Sequence, residues 1–414
     1  MDKNLRNIFQ ARYGAVLLLL VGGILIFYIS SGFNFVKNWQ SQHTWYHSKE
    51  FTQDYAEYSY DIKYQSEDEI VYYENIDEFR QERLTIFEPN WSKEKYDENL
   101  TPPRFKADHS YEKGLNYWSQ YNHSLIIFSP WILFILGFSL FFIDLKTNFN
   151  SLLFSLPYTK KQIFKGKLRY MMPPIFISLA VGILIHQFLI HAMIPDLYLN
   201  ATLGQMLYSG MSHWFLLLLA FSSGTFIGTL LGNLVTGPLL VAAGFLSLTI
   251  FYDFLVAISN LFDYFGFGKM MLFFKNLFGE PSTLTITTLG KSGSMPAVFV
   301  LFSVLSLAVL FIAQKIFENT SLESNGKVLT VPRFRRRFFI ILAIISSFYF
   351  TIATVSVVAY FEYDKFEYYS RLSILPLILV PVICTISSFI VTYYDEIFKF
   401  WNKRYLDRMT KKIQ

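Results

Sequence analysis

The feature that most constrains this chain is a series of long, almost uninterrupted apolar runs. A helix needs about 20 mostly apolar residues to cross a hydrocarbon layer roughly 30 Å thick. The runs are continuous rather than alternating, which favours membrane-spanning helices over the strands of a barrel. Hydrophobic residues make up 53% of the chain and charged residues only 16%, whereas soluble domains carry about 25% charged residues. The predicted spans are Gly14–Ser31, Ser124–Ile143, Met171–His191, Trp214–Leu231, Pro238–Ile258, Pro296–Ile312, Phe338–Tyr360 and Ile374–Tyr393.

The sequence therefore predicts an all-α polytopic membrane protein with about eight transmembrane helices. Over Glu67–Arg83, charged residues occupy one helical face and apolar residues another, which predicts a mainly helical domain between the first two spans. Residues 260–295, before the sixth span, contain the aromatic and apolar piece Tyr264–Phe278, which is too short and broken to cross, and they predict a re-entrant outer hairpin. The predicted organisation is an interfacial helix at 1–13, a first span at 14–32, an extracellular domain at 33–122, a transmembrane core at 123–317, a basic cytoplasmic loop at 318–337, two additional spans at 338–393 and a basic tail at 394–414.

The distribution of charge predicts which way the chain crosses its membrane. Lysine and arginine accumulate on cytoplasmic loops. Residues 144–169 carry six basic residues and one acidic residue, and residues 315–337 carry six and two. The tail from 394 carries six and three, whereas residues 33–122 carry ten basic and seventeen acidic residues. Eight spans place every basic segment on one side, which predicts a bacterial plasma-membrane protein with cytoplasmic termini and an extracellular 33–122 segment. The basic rim is explained by insertion alone, so no nucleic acid is expected as a partner.

Signatures of catalysis and of metal binding fail on inspection. Gly290-Lys-Ser292 resembles the end of a nucleotide-binding loop, but the required first glycine would fall at Thr285. His43 and His47 have the spacing of zinc ligands on one helical face, yet no third ligand is obvious. We therefore expect no catalytic residue, no metal and no cofactor on this chain. Asp253, within the fifth predicted span, is either part of a transport path or close to the outer end of its helix.

One cytoplasmic segment, residues 155–167, has the pattern of a docking element. It follows the second predicted span and precedes the third. Pro157 ends one element, Tyr158 and Thr159 can cap the next, and Lys160–Lys167 can form a short basic helix. Ile163 and Phe164 would lie on one face of that helix, where they could pack into a groove of a cytoplasmic partner while the lysines meet an acidic rim. The plain alternative is an ordinary basic loop.

This segment resembles the coupling element of ABC-2-type exporter permeases of Gram-positive bacteria. In that family, a Leu-Pro pair, a small or hydroxyl residue, a basic pair and a Gly-Lys pair follow one another between the second and third spans. The resemblance covers roughly Met1–Phe317, and the last two spans depart from the six-span plan of the family. The residues assigned to coupling are Leu156, Pro157, Tyr158, Thr159, Lys160, Lys161, Ile163, Phe164, Gly166 and Lys167.

The resemblance implies a complex in which this chain is a transporter subunit and not itself an enzyme. Two copies of a separate ATP-binding subunit would hold ATP and Mg²⁺, and a second permease, identical or paralogous, would complete the path through the lipid bilayer. The cargo would be a peptide, a bacteriocin-like molecule or a lipid-linked amphipathic molecule moved outward. The residues assigned to the translocation path or outer gate are Asp253, Tyr264, Phe273, Phe274 and Phe278.

Two other functions remain open from the sequence. The chain could be a membrane sensor or immunity protein whose extracellular domain binds a peptide while its basic inner face recruits a partner, without transport. It could also be a polytopic membrane enzyme, although no nucleophile–base pair or metal set is assembled in the sequence.

Overall fold

A computed structural model shows a multi-pass helical protein. It describes residues 2–58, 62–65, 70–72, 75–89, 96–97, 104–105, 117–119, 128–199, 202–233, 237–238, 241, 296–321, 327–361 and 374–413. Within these residues, six helical segments are long and apolar enough to cross a membrane. They are Lys3–Tyr46, Ser129–Lys146, Lys160–Met193, His213–Leu230, Phe299–Asn319 and Ile378–Trp401.

Six of the eight predicted spans are confirmed as helices of this kind: the first four, the sixth and the eighth. The seventh, Phe338–Tyr360, lies inside a helix of 27 residues, Arg335–Phe361. The fifth predicted span falls almost entirely outside the described residues, as does the predicted re-entrant hairpin at 260–295.

The helices of the described part are labelled in chain order as α1 Lys3–Tyr46, α2 Lys49–Tyr58, α3 Ile76–Leu84, α4 Ser129–Lys146, α5 Phe149–Ser155, α6 Lys160–Met193, α7 Asp196–Leu199, α8 Leu203–Leu230, α9 Pro296–Asn319, α10 Arg335–Phe361 and α11 Ile374–Ile413.

Helix α1 runs for 44 residues without interruption. At about 1.5 Å per residue it is roughly twice as long as a hydrocarbon layer is thick. Its first turn is capped by Asp2, whose Oδ1 accepts a hydrogen bond from the Asn4 backbone N–H at 2.8 Å. The predicted separate interfacial helix at 1–13 is therefore corrected, because residues 3–13 continue directly into the span. An interfacial helix would place the Phe9 side chain in the lipid. Phe9 is instead fully buried within the protein, with its ring 6.3 Å from that of Tyr170.

The segment between α1 and α4 mixes short helices with short strands. The strands are β1 Ile62–Gln65, β2 Ile70–Tyr72, β3 Phe87–Pro89, β4 Tyr96–Asp97, β5 Arg104–Phe105 and β6 Tyr117–Ser119, and they pair antiparallel as β1–β2, β3–β6 and β4–β5. The single helix predicted over Glu67–Arg83 is corrected to strand β2 followed by α3. The apolar residues of β2 are β-branched or aromatic types, which suit a strand. Around α3, Phe79 stacks on Phe51 with ring centroids 5.9 Å apart.

The chain divides into two compact units. Unit 1 comprises Met1–Ile132, Gly166–Leu219 and Asn276–Val304, and unit 2 comprises Leu133–Lys165, Ala220–Lys275 and Leu305–Gln414. In unit 1, α1 approaches α6 closely at Gly182, where an added Cβ would lie 3.0 Å from the Tyr28 ring. An apolar cluster at one end of α1 includes Phe35, Val36 and Trp39.

In unit 2, α4 and α8 cross so closely that their backbones touch. A Cβ added at Gly224 would overlap the carbonyl oxygen of Phe134, and one added at Gly228 would overlap that of Phe138. Gly137, on the other helix, has the same relation to the carbonyl of Phe221. Small residues four apart allow this approach in a membrane, where van der Waals packing between helices replaces the hydrophobic effect.

The last two helices, α10 and α11, form a packed pair in unit 2. Arg335, at the start of α10, donates from Nε to the Thr392 carbonyl at 2.8 Å and from Nη1 to Glu396 Oε1 at 2.6 Å. Its guanidinium also lies 4.8 Å from the centre of the Tyr393 ring. Helix α11 kinks at Tyr393, whose φ and ψ are −107° and 15°. The kink coincides with the predicted boundary between the eighth span and the tail.

The glycine crossing of α4 and α8 gives a first test. Gly224→Leu should lower the thermal unfolding midpoint of the purified protein by at least about 2 °C, because overpacking forces the two backbones apart. Gly23→Leu on α1 is the matched control, since no atom lies within 4 Å of a Cβ at that position. Thermal unfolding in detergent, followed by size-exclusion chromatography, measures both. Equal midpoints for the two variants would contradict the crossing.

Candidate functional site

The turn between α5 and α6 is built by local sequence signals. Asn148 adopts a left-handed conformation, with φ 56° and ψ 14°, immediately before α5. Asparagine tolerates this region better than most residues. Leu156 then leaves the helix in an extended conformation, with φ −79° and ψ 156°. The residue before a proline is restricted in this way, so Pro157 fixes the end of α5.

Helix α6 begins with a capping box. The Gln162 backbone N–H donates to Thr159 Oγ1 at 3.2 Å, and the Thr159 backbone N–H donates to Gln162 Oε1 at 2.9 Å. These reciprocal bonds satisfy two backbone donors that the first turn would otherwise leave unpaired. The expectation that Thr159 caps this helix is confirmed. The predicted short helix at Lys160–Lys167 is corrected, because it forms the first two turns of a 34-residue helix.

The apolar side chains of this element face the chain's own interior. Ile163 is fully buried, and Phe164 is 2% exposed. The Phe164 ring stacks on Phe141 with centroids 4.9 Å apart and lies 5.7 Å from Phe317. The prediction that Ile163 and Phe164 dock into a partner's groove is therefore wrong. Phe164 joins α6 to α4 and α9, and neither Phe164 nor Ile163 is exposed to a partner.

Two of the predicted basic residues contact the protein itself: Lys160 is half-buried and Lys167 is buried. Lys160 Nζ donates to the Thr320 carbonyl at 2.5 Å and lies 5.0 Å from the centre of the Phe154 ring. Lys167 is 1% exposed, with its Nζ 5.1 Å from the centre of the Tyr13 ring. Gly166 is buried as well. These residues serve the packing of the helix ends rather than an outer surface.

Part of the element, together with Leu152 of α5, forms an exposed basic surface in unit 2, whereas Leu156 and Tyr158 are half-buried. Lys161, Lys165 and Pro157 are exposed, and Leu152 keeps 53% of its surface accessible. No acidic residue occurs between Asp144 and Asp196 in the sequence, although the Glu318 carboxylate of α9 lies close enough to Lys161 for their charges to interact. We call the exposed set the basic turn surface; it consists of Leu152, Ser155, Pro157, Lys161 and Lys165.

A neighbouring connection holds the end of α8 in unit 2. The Thr330 hydroxyl donates to the Thr229 carbonyl at 2.7 Å, and Gly232 N–H donates to the Val328 carbonyl at 3.0 Å. The Val328 backbone N–H in turn donates to Asp395 Oδ2 at 3.0 Å. The described part of the predicted basic loop at 318–337 is thereby tied both to α8 and to α11.

Besides the coupling element, the sequence singles out the predicted translocation-path residues and a histidine pair that is rejected as a zinc site. Asp253 and the aromatic gate residues Tyr264, Phe273, Phe274 and Phe278 lie outside the described residues. His43 and His47 stack with ring centroids 4.2 Å apart, and His47 Nδ1 lies 2.8 Å from the His43 carbonyl oxygen. Among the residues that the structure describes, no group of three or more side chains could hold a metal ion.

Sequence reasoning missed a polar cluster inside the helices of unit 1. Tyr28, Ser129, His186 and His213 are each at most 7% exposed. Tyr28 Oη lies 3.2 Å, and Ser129 Oγ 2.9 Å, from Nε2 of His213. The available signal was the presence of His186 and His213 within or beside predicted spans, where ionisable side chains are costly and are usually functional.

Comparison of the chain with models of protein families gave no match. Neither curated protein sequences nor solved structures gave one.

The buried position of Phe164 leads to a second test. Phe164→Ala should destabilise the isolated chain by about 3–5 kcal/mol, because it leaves a cavity between α4, α6 and α9. Phe398→Ala removes the same atoms from a side chain that is 56% exposed, and it should change the unfolding midpoint little. Thermal unfolding of both variants without any partner measures the difference. If Phe164→Ala had no more effect than Phe398→Ala, Phe164 would be free for docking after all.

Proposed function

We propose that this chain is the membrane-spanning permease subunit of an ABC exporter of the ABC-2 type. The observation that carries the proposal is the basic turn surface, which lies between the second and third spans where the resemblance places the coupling element. This exposed turn is continuous with one span and packs against the end of another, so a bound partner could transmit its movement to the transmembrane helices through it. The chain lacks a complete nucleotide-binding loop, so ATP and Mg²⁺ would be held by a separate subunit.

The burial of Ile163 and Phe164 changes how coupling would work. Leu152 and Pro157 supply the apolar contact, and Lys161 and Lys165 meet acidic residues at the rim of the ATPase groove. The buried rings of Phe141, Phe164 and Phe317 then act as a rigid base. Because α6 continues without a break beyond Lys160, movement of the turn is passed into a transmembrane helix rather than absorbed by a loop.

The remaining parts of the proposal follow the family plan. Two ATPase copies and a second permease complete the complex in the bacterial plasma membrane, with both termini cytoplasmic and residues 33–122 extracellular. The excess of basic residues in 144–169 and of acidic residues in 33–122 supports this orientation. The cargo would be a peptide, a bacteriocin-like molecule or a lipid-linked amphipathic molecule, moved outward past Asp253 and the aromatic gate at Tyr264–Phe278.

Charge reversal of the basic turn surface is the direct test. In Lys161→Glu/Lys165→Glu, like charges would face each other across the interface, so association with the ATPase should weaken by at least about tenfold. The native complex is purified through a tag on this chain, and subunits are identified and quantified by mass spectrometry. ATP hydrolysis by the purified complex should fall in parallel.

The matched control is Lys327→Glu/Lys399→Glu, which makes the same change of charge at two other exposed lysines of unit 2. This variant should keep its ATPase. A wild-type preparation that contains no subunit with a nucleotide-binding loop would overturn the proposal. Recovery of a kinase in its place would favour the sensor function.

A further inference from the structure

The polar cluster of unit 1 is built on four helices that the proposed coupling mechanism does not use. Tyr28 comes from α1, Ser129 from the start of α4, His186 from α6 and His213 from α8. Their exposed fractions are 1%, 2%, 5% and 7% in that order. The Tyr28 ring meets both imidazoles edge-on, at centroid distances of 6.4 Å to His186 and 6.5 Å to His213. The Tyr28 ring therefore contacts both imidazoles, and Ser129 joins the cluster through its contact with His213.

The part of the cluster around His213 is only partly satisfied. Two hydroxyls, those of Tyr28 and Ser129, converge on Nε2 of His213. Its other ring nitrogen, Nδ1, is buried and has no hydrogen-bond partner among the described residues. A neutral imidazole carries one N–H donor and one bare acceptor nitrogen. Whichever tautomer His213 adopts, one of its two hydrogen-bonding functions is left unused.

The part around His186 is not satisfied at all within the described residues. Both of its ring nitrogens are buried without a partner, as are Ser31 Oγ and Gln187 Oε1. Ser31 lies three residues after Tyr28 and therefore shares its helical face. The adjacent Gly32 is close to His186, since a Cβ there would lie 3.5 Å from the His186 Cα. On α8, a Cβ at Gly210 would lie 3.7 Å from Gln187 Cγ.

Unpaired polar atoms of this number need an explanation. Burying one polar group without a partner costs about 1–3 kcal/mol, and a membrane interior offers no stray water to lower that cost. A polar network that serves only stability is expected to be closed, with each donor meeting an acceptor. Here the open atoms belong to four side chains on three helices, Ser31, His186, Gln187 and His213, all within unit 1, which indicates an occupant rather than scattered defects.

We infer that the His186–His213 cluster is a ligand site inside the helices of unit 1. It takes an uncharged group that both donates and accepts hydrogen bonds, such as a peptide amide or a hydroxyl. Its own groups are imidazoles, hydroxyls and a carboxamide, so a charged ligand would find no counter-ion among them. Identifying the occupant with the exported cargo rests on the proposed function, whereas the existence of a site that small polar molecules reach does not.

Cysteine accessibility tests whether polar molecules reach the cluster. Cys384 is the one cysteine of the chain, so Cys384→Ser provides a clean background. In that background, Ser31→Cys places a nearly isosteric thiol in the cluster. The control is Ser178→Cys, since Ser178 is similarly buried at 4% exposure but its hydroxyl is satisfied by the Ile175 carbonyl at 2.8 Å.

The full-length chain in membrane vesicles is treated with the uncharged, hydroxyl-bearing thiol reagent 2-hydroxyethyl methanethiosulfonate. The thiol at position 31 should react at least tenfold faster than the thiol at position 178. A second pair, His186→Cys and Leu179→Cys, should show the same contrast, because Leu179 is equally buried on the same helix but apolar.

Slow and equal reaction in both pairs would overturn the inference and leave a dry cluster with a structural role. The measurement needs neither ATP nor an ATPase. If the thiols fail to react, the proposed export function is therefore not affected. Conversely, if no ATPase is found with this chain, a fast reaction at position 31 would still show the ligand site.

Discussion

The structure depends above all on the absence of water as a hydrogen-bonding partner inside a lipid bilayer. Every backbone donor and acceptor at that depth must be paired within the chain, which restricts the spans to helices. Between helices, association then depends on close packing rather than on the hydrophobic effect. The crossing of α4 and α8 at Gly137, Gly224 and Gly228 shows this dependence most clearly. Carbonyl oxygens of each helix occupy the space that a Cβ atom on the other helix would need.

The same constraint separates two kinds of polar group in this protein. Lys160 and Thr159, at the end of a span, have partners at short distance: a carbonyl for the ammonium and a glutamine side chain for the cap. His186, deeper along the same helix, has none among the described residues. The first kind stabilises a turn that a partner could push. The second kind carries the free-energy cost of burying polar atoms without hydrogen-bond partners, and a bound ligand would remove that cost.

Much of the fold could be predicted from the sequence, because apolar run length reports directly on the thickness of a membrane. The Thr159 cap was predictable too, since its chemistry is local. The role of Phe164 was not, because periodicity identifies an apolar face without saying whether the chain itself or a partner covers it. Similarly, Ile70–Tyr72 lies within a sequence pattern that is compatible with a helix. It forms a strand because it pairs with Ile62–Gln65, and that pairing cannot be read from the pattern. His186 and His213 are far apart in sequence, so their meeting is a product of helix packing.

The central claim is that an ATPase sits on the basic turn surface. A photo-crosslinking amino acid placed at position 157 in the native membrane tests it most directly, because Pro157 is exposed and already outside both helices. On illumination, the account predicts one dominant protein adduct, identified by mass spectrometry as a subunit with a nucleotide-binding loop. The same residue placed at position 383, on the exposed face of α11, should not give that adduct. Adducts with lipid alone at both positions, or with a protein lacking such a loop, would contradict the account.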